Sequence, residues 1–225
     1  MRYLIIFIFI CLPLNNFAQL YIGIKGGLTI SDFSNVSTTY KNTGYKIGAS
    51  VQYMFSTWGI QSGIYTTEKG VASSRGYLHE EKFYPVSLEI SPRYLELPIS
   101  AVYKIPVDRN VNIEINLGGY LAYGIGGRGL LVMEGLQTMY GINVFDNVEI
   151  DNQDLGYMSF KGANHFDYGL SSGISMNVYG ITIHANYDLG LGKVFNTFPI
   201  QRDNHRSTKN RTFWIGTGYN FKLPK

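Results

Sequence analysis

The sequence predicts an all-β fold, an antiparallel up-and-down transmembrane β-barrel of about eight strands. Apolar residues recur at every second position in these segments, which is the period of a strand and not of a helix. Each segment is near the ~9–11 residues that a tilted membrane-spanning strand needs. Short and long links alternate between the segments. The turns lie near 56, 107 and 180, and the long connections are 31–43, 68–92, 126–165 and 192–210.

The first three segments show the alternation clearly. In 20–30 the even positions are mainly aliphatic, while the odd positions are Tyr, Gly, Lys and Thr. In 45–55 the odd positions are apolar and the even ones are mostly Lys, Gly, Ser and Gln, and in 58–65 Trp and Ile alternate with Gly and Gln. One face of each strand is therefore apolar, and the other is small or polar.

The remaining segments repeat this pattern up to the C-terminus. They are 94–105, 111–125, 166–178, 181–191 and 213–221. The even number of strands returns both chain ends to the side of the short turns, which in outer-membrane barrels is the periplasmic side, while the long loops are external. A hairpin formed within 126–165 would raise the count to ten strands.

Composition excludes several classes of protein. With 45% apolar residues and a formal charge of +3, the chain has the core of a folded protein and not the profile of a disordered one. The basic residues are scattered, so we do not expect nucleic acid as a partner. The single cysteine, Cys11, cannot form an intramolecular disulfide or a thiolate cluster, and the histidines show no zinc-ligand spacing. We therefore predict no cofactor and no metal site.

Residues 1–18 have the pattern of a secretory signal peptide. Arg2 precedes an apolar run that ends at Pro13, and Ala18 stands before Gln19. The run is short for a membrane helix, which disfavours the alternative of an uncleaved anchor. We expect a signal peptide at 1–18 and a barrel domain at 19–225, with Cys11 removed on export.

A soluble eight-stranded barrel with an apolar pocket would also alternate along its strands. Its exterior would need charged, water-facing residues, whereas the polar face here is built largely from Gly, Ser, Asn and Thr, which suit a narrow lumen. Aromatic residues also gather on the apolar face at strand ends near the periplasmic side, as in an interfacial girdle. They are Tyr53, Phe55, Trp58, Tyr103, Tyr219 and Phe221. These features favour location in the outer membrane, with its lipid as a partner.

Several strings resemble the PorT-like outer-membrane β-barrel family of Bacteroidetes. The most specific is Tyr-Leu-Glu-Leu-Pro at 94–98, and 23–28, 59–65, 118–123, 166–170 and 187–191 agree in order and spacing. The chain departs from the family where residues 222–225 follow Phe221, since the last strand often ends at an aromatic residue. The resemblance implies fold and location, insertion by the barrel-assembly machinery, and a possible link to protein secretion through an envelope or secretion partner, because the named member participates in secretion and gliding-related export.

Charged residues on the polar faces are predicted to meet in the lumen. The set is Lys25, Lys46, Glu96, Lys104, Glu114, Asp167, His184 and Asp188. Buried charges must be paired, so we interpret this set as a structural network that closes the lumen. The alternative takes His184 with Asp188 or Asp167 as a general base acting on Ser171. Residues 184 and 188 are roughly 13 Å apart along one strand, which is too far for a hydrogen bond.

The external connections 68–92 and 126–165 are the main candidates for contact with a partner. The second is apolar in parts and carries the acids Asp146, Glu149, Asp151 and Asp154, which are either solvated or a calcium site. The favoured function is a non-enzymatic barrel that is structural or binds a partner through these loops. A narrow pore or small-ligand channel, and a membrane-embedded hydrolase or acyltransferase, are the alternatives.

Overall fold

The computed structural model describes residues 19–35, 39–79, 82–133, 138–152, 156–195 and 207–224, so the predicted signal peptide lies outside the described residues. All regular elements in these ranges are strands. In chain order they are β1 Gln19–Phe33, β2 Thr39–Met54, β3 Trp58–Glu68, β4 Val71–His79, β5 Lys82–Asp108, β6 Val111–Met133, β7 Thr138–Ile142, β8 Val148–Asn152, β9 Gly156–Phe160, β10 Phe166–Val178, β11 Ile181–Gly190 and β12 Asn210–Lys222. No helix in the described part of the chain is long and apolar enough to cross a membrane.

Eight of these strands close an antiparallel barrel. The circuit runs β1, β2, β3, β5, β6, β10, β11 and β12, and β12 pairs back with β1, for example Tyr219 with Ile24. Closure lets the strands satisfy their backbone hydrogen bonds within the sheet, as hydrocarbon requires. The predicted eight-stranded antiparallel barrel is confirmed.

The other four strands lengthen the wall or stand beside it without adding to its circumference. Strands do form within 126–165, and the main sheet has ten strands, but only eight of them close the barrel. β4 pairs with β5 along its whole length and with β2 at Thr39–Lys41, β7 pairs with the end of β6, and β8 and β9 form a separate two-stranded sheet. The predicted loop 68–92 is therefore mostly a β-hairpin, and much of 126–165 is also strand.

The strands β5 and β6 extend well beyond the predicted ends of their alternating segments. They contain 27 and 23 residues, about twice the length that spanning the bilayer requires. The extra residues lie at the end of the long connections, where both faces of a strand can be wet. Alternation is not needed there, so the pattern that predicted the strands ended before the strands did.

The barrel has apolar residues outside and charged residues inside. Leu117 on the outer surface is 67% exposed, whereas Lys46 and Asp188 in the interior are only 2% and 1% exposed. A protein surrounded by water would have the opposite distribution. The exposed aliphatic band on the outer surface is the surface that a lipid bilayer covers.

The structure places the six predicted interface aromatics at the end that carries the short turns and the strand termini. The six rings form three contacting pairs, two between residues two positions apart in the chain and one between neighbouring strands. The ring centroids are 4.9 Å apart in Tyr53 and Phe55, 5.0 Å in Trp58 and Tyr103, and 4.6 Å in Tyr219 and Phe221.

A second set of exposed aromatics lies toward the end of the long connections, and the sequence analysis did not single it out. Its members are Tyr45, Tyr123, Phe166, Tyr168, Tyr187 and Phe213, each between 38% and 56% exposed. Aromatic rings thus flank the aliphatic band on both sides, the arrangement expected at the two membrane interfaces. We refer to the two ends as the periplasmic end, with the short turns, and the external end.

Candidate functional site in the barrel lumen

Five charged side chains meet in the external half of the lumen. Lys46 comes from β2, Glu96 from β5, Asp167 from β10 and Asp188 from β11, and each occupies an inward position of its strand. Lys69 follows the end of β3 and is also 1% exposed. The barrel closure brings these residues together from separate parts of the chain, and we call them the charged layer.

The charged layer is a chain of alternating signs. Lys46 Nζ lies 3.0 Å from Asp188 Oδ2 and 2.5 Å from Glu96 Oε1. Lys69 Nζ continues the chain, 3.0 Å from Glu96 Oε2 and 3.3 Å from Asp167 Oδ2. The contact of Lys69 with Glu96 lacks hydrogen-bond geometry at Oε2, so it acts as an ion pair. Glu96 is therefore the carboxylate shared by the two lysines.

Neutral side chains complete the environment of the charged layer. Tyr120 Oη and Asn210 Nδ2 donate to Asp167 Oδ2 over 3.2 Å and 2.8 Å, and Ser171 Oγ donates to Asp188 Oδ1 over 2.5 Å. Lys69 Nζ lies 4.2 Å from the ring centroid of Tyr120. These donors and π-faces compensate charges that have lost their water, which is the condition for keeping ions in a narrow interior.

An aromatic contact closes the lumen further toward the external end. Phe145, in the segment between β7 and β8, is 8% exposed, and its ring centroid lies 5.7 Å from that of the lumen residue Tyr94. On its other side Phe145 stacks on His165, with centroids 4.5 Å apart. A Cβ on Gly124 would collide with the Phe145 ring, so glycine is required where the ring enters the mouth. We call Phe145 and its neighbour Val144, which is 5% exposed, the external cap.

The periplasmic half of the lumen is more open. A polar cavity of about 510 Å³ opens there, and its walls include Gln52, Lys104 and Glu114. Lys104 and Glu114 are directly opposite each other on β5 and β6, and Lys104 Nζ lies 5.7 Å from the Tyr21 ring centroid. The cavity is lined by charged, amide and phenolic groups, which can hold water or a small polar molecule.

The other two predicted lumen residues lie between this cavity and the charged layer. Lys25 is buried and donates to Gln61 Oε1 over 3.1 Å. His184 is buried with its ring centroid 4.1 Å from that of Trp214. The structure thus brings four of the eight predicted residues into the charged layer and places Lys25, Lys104, Glu114 and His184 at other levels.

The catalytic alternative requires a hydrogen bond between His184 and a serine or carboxylate. Among the described residues neither ring nitrogen of His184 has a hydrogen-bond partner. Ser171 instead donates a hydrogen bond to Asp188. Asp167 accepts hydrogen bonds from Lys69, Tyr120 and Asn210. The proposed base and nucleophile are not joined, so this geometry gives no activated serine.

Sequence reasoning missed Lys69, Tyr120 and Trp214 as parts of this interior. Lys69 falls in the predicted connection 68–92, although the inward alternation of β3 continues through Thr67 to it. Tyr120 and Trp214 occupy inward positions of β6 and β12, where the alternation predicts small or polar residues and not aromatic rings. Extending the inward alternation of β3 by two residues beyond Thr67 identifies Lys69 as a lumen residue.

The acidic residues of the segment 126–165 show no calcium site in the described part. Asp146 and Glu149 are exposed, Asp154 lies outside the described residues, and the side chain of Asp151 is likewise not described. No group of three or more His, Cys, Asp or Glu side chains in the described residues is arranged to hold a metal ion.

Comparison with known proteins identifies a family. The model of the family described as outer membrane protein beta-barrel domain matches residues 17–196, which is most of the chain. No curated protein matches the sequence.

Several solved structures of outer-membrane proteins are similar to this chain over nearly its whole length. The attachment invasion locus protein Ail of Yersinia pestis is 14% identical, with 91% of this chain and 99% of that chain covered and a TM-score of 0.41. Neisserial surface protein A is 10% identical, with 92% and 99% covered and a TM-score of 0.43. The outer membrane protein OprG of Pseudomonas aeruginosa is 12% identical, with 89% and 95% covered and a TM-score of 0.41. These similarities concern the barrel fold alone.

Proposed function

The chain belongs to the outer membrane protein beta-barrel domain family, and from this premise we propose that it is a non-enzymatic, non-conducting barrel of the outer membrane. In this role the barrel is structural, or it holds its external segments in place for a partner in the envelope. The observation that carries the proposal is the charged layer, which crosses the lumen with side chains that are at most 3% exposed.

The charged layer supports a closed lumen for an energetic reason. An ion crossing it would have to separate Glu96 from both Lys46 and Lys69, which would leave buried charges without their partners. With eight strands the interior is already narrow enough for side chains to fill it. The external cap adds a second obstruction at the mouth.

The proposal of no enzymatic activity is supported by the same residues. The polar side chains of the charged layer neutralise one another, and His184 is not connected to a nucleophile within the described residues. A lumen filled in this way leaves no space in which a substrate could approach Ser171, which is 8% exposed.

A partner-binding role is supported by the strands that rise beyond the membrane. The hairpin of β4 and β5 and the pairing of β6 with β7 extend the wall at the external end. Such a rigid extension can present side chains to a protein in the envelope. The resemblance to the PorT-like family of Bacteroidetes makes a secretion protein one candidate partner. The same resemblance implies that the barrel-assembly machinery is a partner while the barrel inserts into the membrane.

Deletion of the hairpin tip tests the partner-binding role. Residues 75–86 would be replaced by a two-residue Asn-Gly turn between the register partners Ser74 and Ser87, since the barrel circuit does not include β4. We expect the variant still to migrate faster on a gel when unheated, as a folded barrel does, and to lose a stoichiometric companion that copurifies with the unaltered protein. If the variant retains the companion protein, the companion binds at a site other than the hairpin tip. If neither preparation contains a companion, the structural role is supported instead of partner binding.

The polar cavity of about 510 Å³ at the periplasmic end supports a second candidate, a small-ligand channel. Single-channel recording in planar bilayers separates the two functions. A closed structural barrel gives no resolved conductance steps, whereas reproducible steps from the unaltered protein would replace the closed barrel by the channel.

Export by a signal peptide is part of the same proposal. Sequencing the N-terminus of the protein extracted from outer membranes should give a chain that begins at or near Gln19. Such a chain would lack Cys11 and would therefore not react with a maleimide. A chain that begins at Met1 would identify an uncleaved anchor.

A further inference from the structure

A groove on the outer surface of the barrel combines apolar and cationic walls at the external membrane interface. It has a volume of about 570 Å³ and is lined by Phe166 and Tyr168 of β10, by Leu191 beyond β11, and by Lys193 and Lys209. Among the described residues, no carboxylate lines it. The lumen and its charged layer lie on the other side of the sheet, so the groove is a separate feature.

The backbone positions the two lysines on adjacent chain segments. Val194 N donates to Thr208 O over 2.8 Å, so Lys193, which precedes Val194, and Lys209, which follows Thr208, flank this hydrogen bond. Asn164 Nδ2 also donates to the carbonyl oxygen of Lys193 over 2.7 Å. Lys193 is exposed and Lys209 is half-buried, so both ammonium groups belong to the outer surface.

The height of the lysines relative to the membrane follows from the outward residues below them. Tyr187, Leu189 and Leu191 point outward at successive alternate positions and are 41%, 37% and 40% exposed, and Lys193 is the next position in that column. Successive outward positions on one strand are about 6.6 Å apart. The lysines therefore stand at the upper edge of the lipid-facing surface, where the head groups of the outer leaflet lie.

The two lysines of this groove differ from other cations at the external end, which have carboxylates close by. Arg93 lies directly opposite Glu68 in the pairing of β3 with β5, and Arg128 shares a cavity with Glu68 and Glu89. Asp32, also at this end, is paired in register with Arg211 and does not line the groove. Two lysines with no carboxylate among the described lining residues are suited to an anion.

We propose that this groove binds the phosphate-bearing head group of an outer-leaflet lipid. Lys193 and Lys209 hold the phosphate, His165 and the side chain of Asn164 line the polar wall, and the acyl chains lie along Phe166, Tyr168 and Leu191. Aromatic and aliphatic side chains directly below a cationic site match an amphipathic anion, whereas a free anion would not use them. This lipid site goes beyond the proposed structural role and does not depend on a closed lumen.

The binding experiment uses the full exported chain in a non-ionic detergent. The probe is diphosphorylated lipid A, and the comparison ligands are a phosphate-free lipid with the same acyl chains and inorganic phosphate. Native mass spectrometry gives the apparent dissociation constant of each. We expect the double variant Lys193→Gln/Lys209→Gln to bind the diphosphorylated lipid at least about tenfold more weakly, since two charge-assisted contacts are lost.

Matched variants separate this site from general surface charge. Lys41→Gln/Arg128→Gln removes two other exposed cations at the external end and should bind the lipid as the unaltered protein does. Lys193→Arg/Lys209→Arg should retain binding, and faster migration of unheated samples on a gel checks that each variant is folded. Because Lys209 is half-buried, Lys193→Gln alone provides a second test that does not alter the strand.

Four outcomes would overturn the proposal. Unchanged lipid binding by both Gln variants would show that the lysines do not form the site. An equal loss of lipid binding in the Lys41 and Arg128 control would identify nonspecific attraction to surface charge. Equal binding of the phosphate-free lipid would show that the head group is not recognised. Complete competition by inorganic phosphate would identify a site for a free anion and not for a lipid.

Discussion

Phe145 packs edge-on against Tyr94, with ring centroids 5.7 Å apart and an interplanar angle of 88°. Phe145 belongs to an external connection and Tyr94 to the lumen wall, so this contact fixes the connection to the barrel mouth. Tyr94 is completely buried, and Lys69 Nζ lies 5.5 Å from its ring centroid. The external cap and the charged layer are therefore consecutive obstructions that share Tyr94.

Removal of the charge on Glu96 should destabilise the barrel. Glu96→Gln keeps the shape of the side chain but leaves Lys46 and Lys69 without their shared carboxylate. We expect a loss of about 3 kcal/mol in the free energy of unfolding, the lower end for breaking a buried pair, because each lysine keeps a second carboxylate. Urea unfolding in lipid vesicles, followed by the gel mobility shift, measures it.

Glu89→Gln is the matched control for this prediction. Glu89 lies on the same strand, but it is exposed at the external end. We expect its effect to stay within about 0.5 kcal/mol, as for an ordinary surface substitution. Equal unfolding midpoints for the two variants would show that the charged layer does not hold the barrel together.

The fold could be predicted from the sequence because lipid and lumen impose opposite demands on alternate residues. The bounds of β10, which spans the membrane between a turn and a loop, agree with the predicted segment 166–178. The ends of β5 and β6 could not be predicted, because beyond the membrane both faces may be polar. Alternation arises where the two faces of a strand meet different environments, lipid on one side and the lumen on the other. Above the bilayer both faces can meet water, so the alternation ends there.

The candidate site could be predicted only as a set of inward residues. Alternation assigns Lys46 and Asp188 to the lumen face, but it does not show that they meet across the lumen from β2 and β11. That contact depends on the stagger between strands when the sheet closes. The position of Phe145 over Tyr94 depends in addition on how the long connection folds back.

The two tryptophans provide reporters for the two environments. Trp58 is 59% exposed at the periplasmic interface, whereas Trp214 is 6% exposed in the lumen beneath Lys46. In vesicles with brominated lipids, we expect strong fluorescence quenching of Trp58 in the variant Trp214→Phe. Iodide added only on the side of the external end should not quench Trp214 in the variant Trp58→Phe, since the anion would have to cross the charged layer to reach it. Quenching of Trp214 in the folded barrel by iodide added on that side would contradict the closed lumen.

A disulfide tests the closure of the barrel and its register. Ile22 and Phe221 are register partners on β1 and β12, and both face outward, with exposures of 43% and 50%. In a Cys11→Ser background, Ile22→Cys/Phe221→Cys should form a disulfide on oxidation, because directly opposite Cβ atoms are ~4.5–5.5 Å apart. The heated, unreduced protein should then migrate faster than the reduced one.

The one-residue shift provides the control for the disulfide. Asn220 is 6% exposed and faces the lumen, so Ile22→Cys/Asn220→Cys places the two thiols on opposite sides of the sheet. This pair should remain unlinked under the same oxidation. Efficient linkage of the shifted pair, with none in the matched pair, would show that β12 meets β1 in a different register.

Loss of the external cap alone should leave the barrel closed. Phe145→Ala removes the ring from the mouth, but the charged layer below it still joins Lys46, Glu96 and Lys69 across the lumen. We therefore expect no conductance steps from Phe145→Ala in planar bilayers. Its stability should fall by about 3 kcal/mol, since truncation of a buried Phe costs ~3–5 kcal/mol and this one is near the surface. Conductance steps from this variant would identify the cap, and not the charged layer, as the barrier to ions.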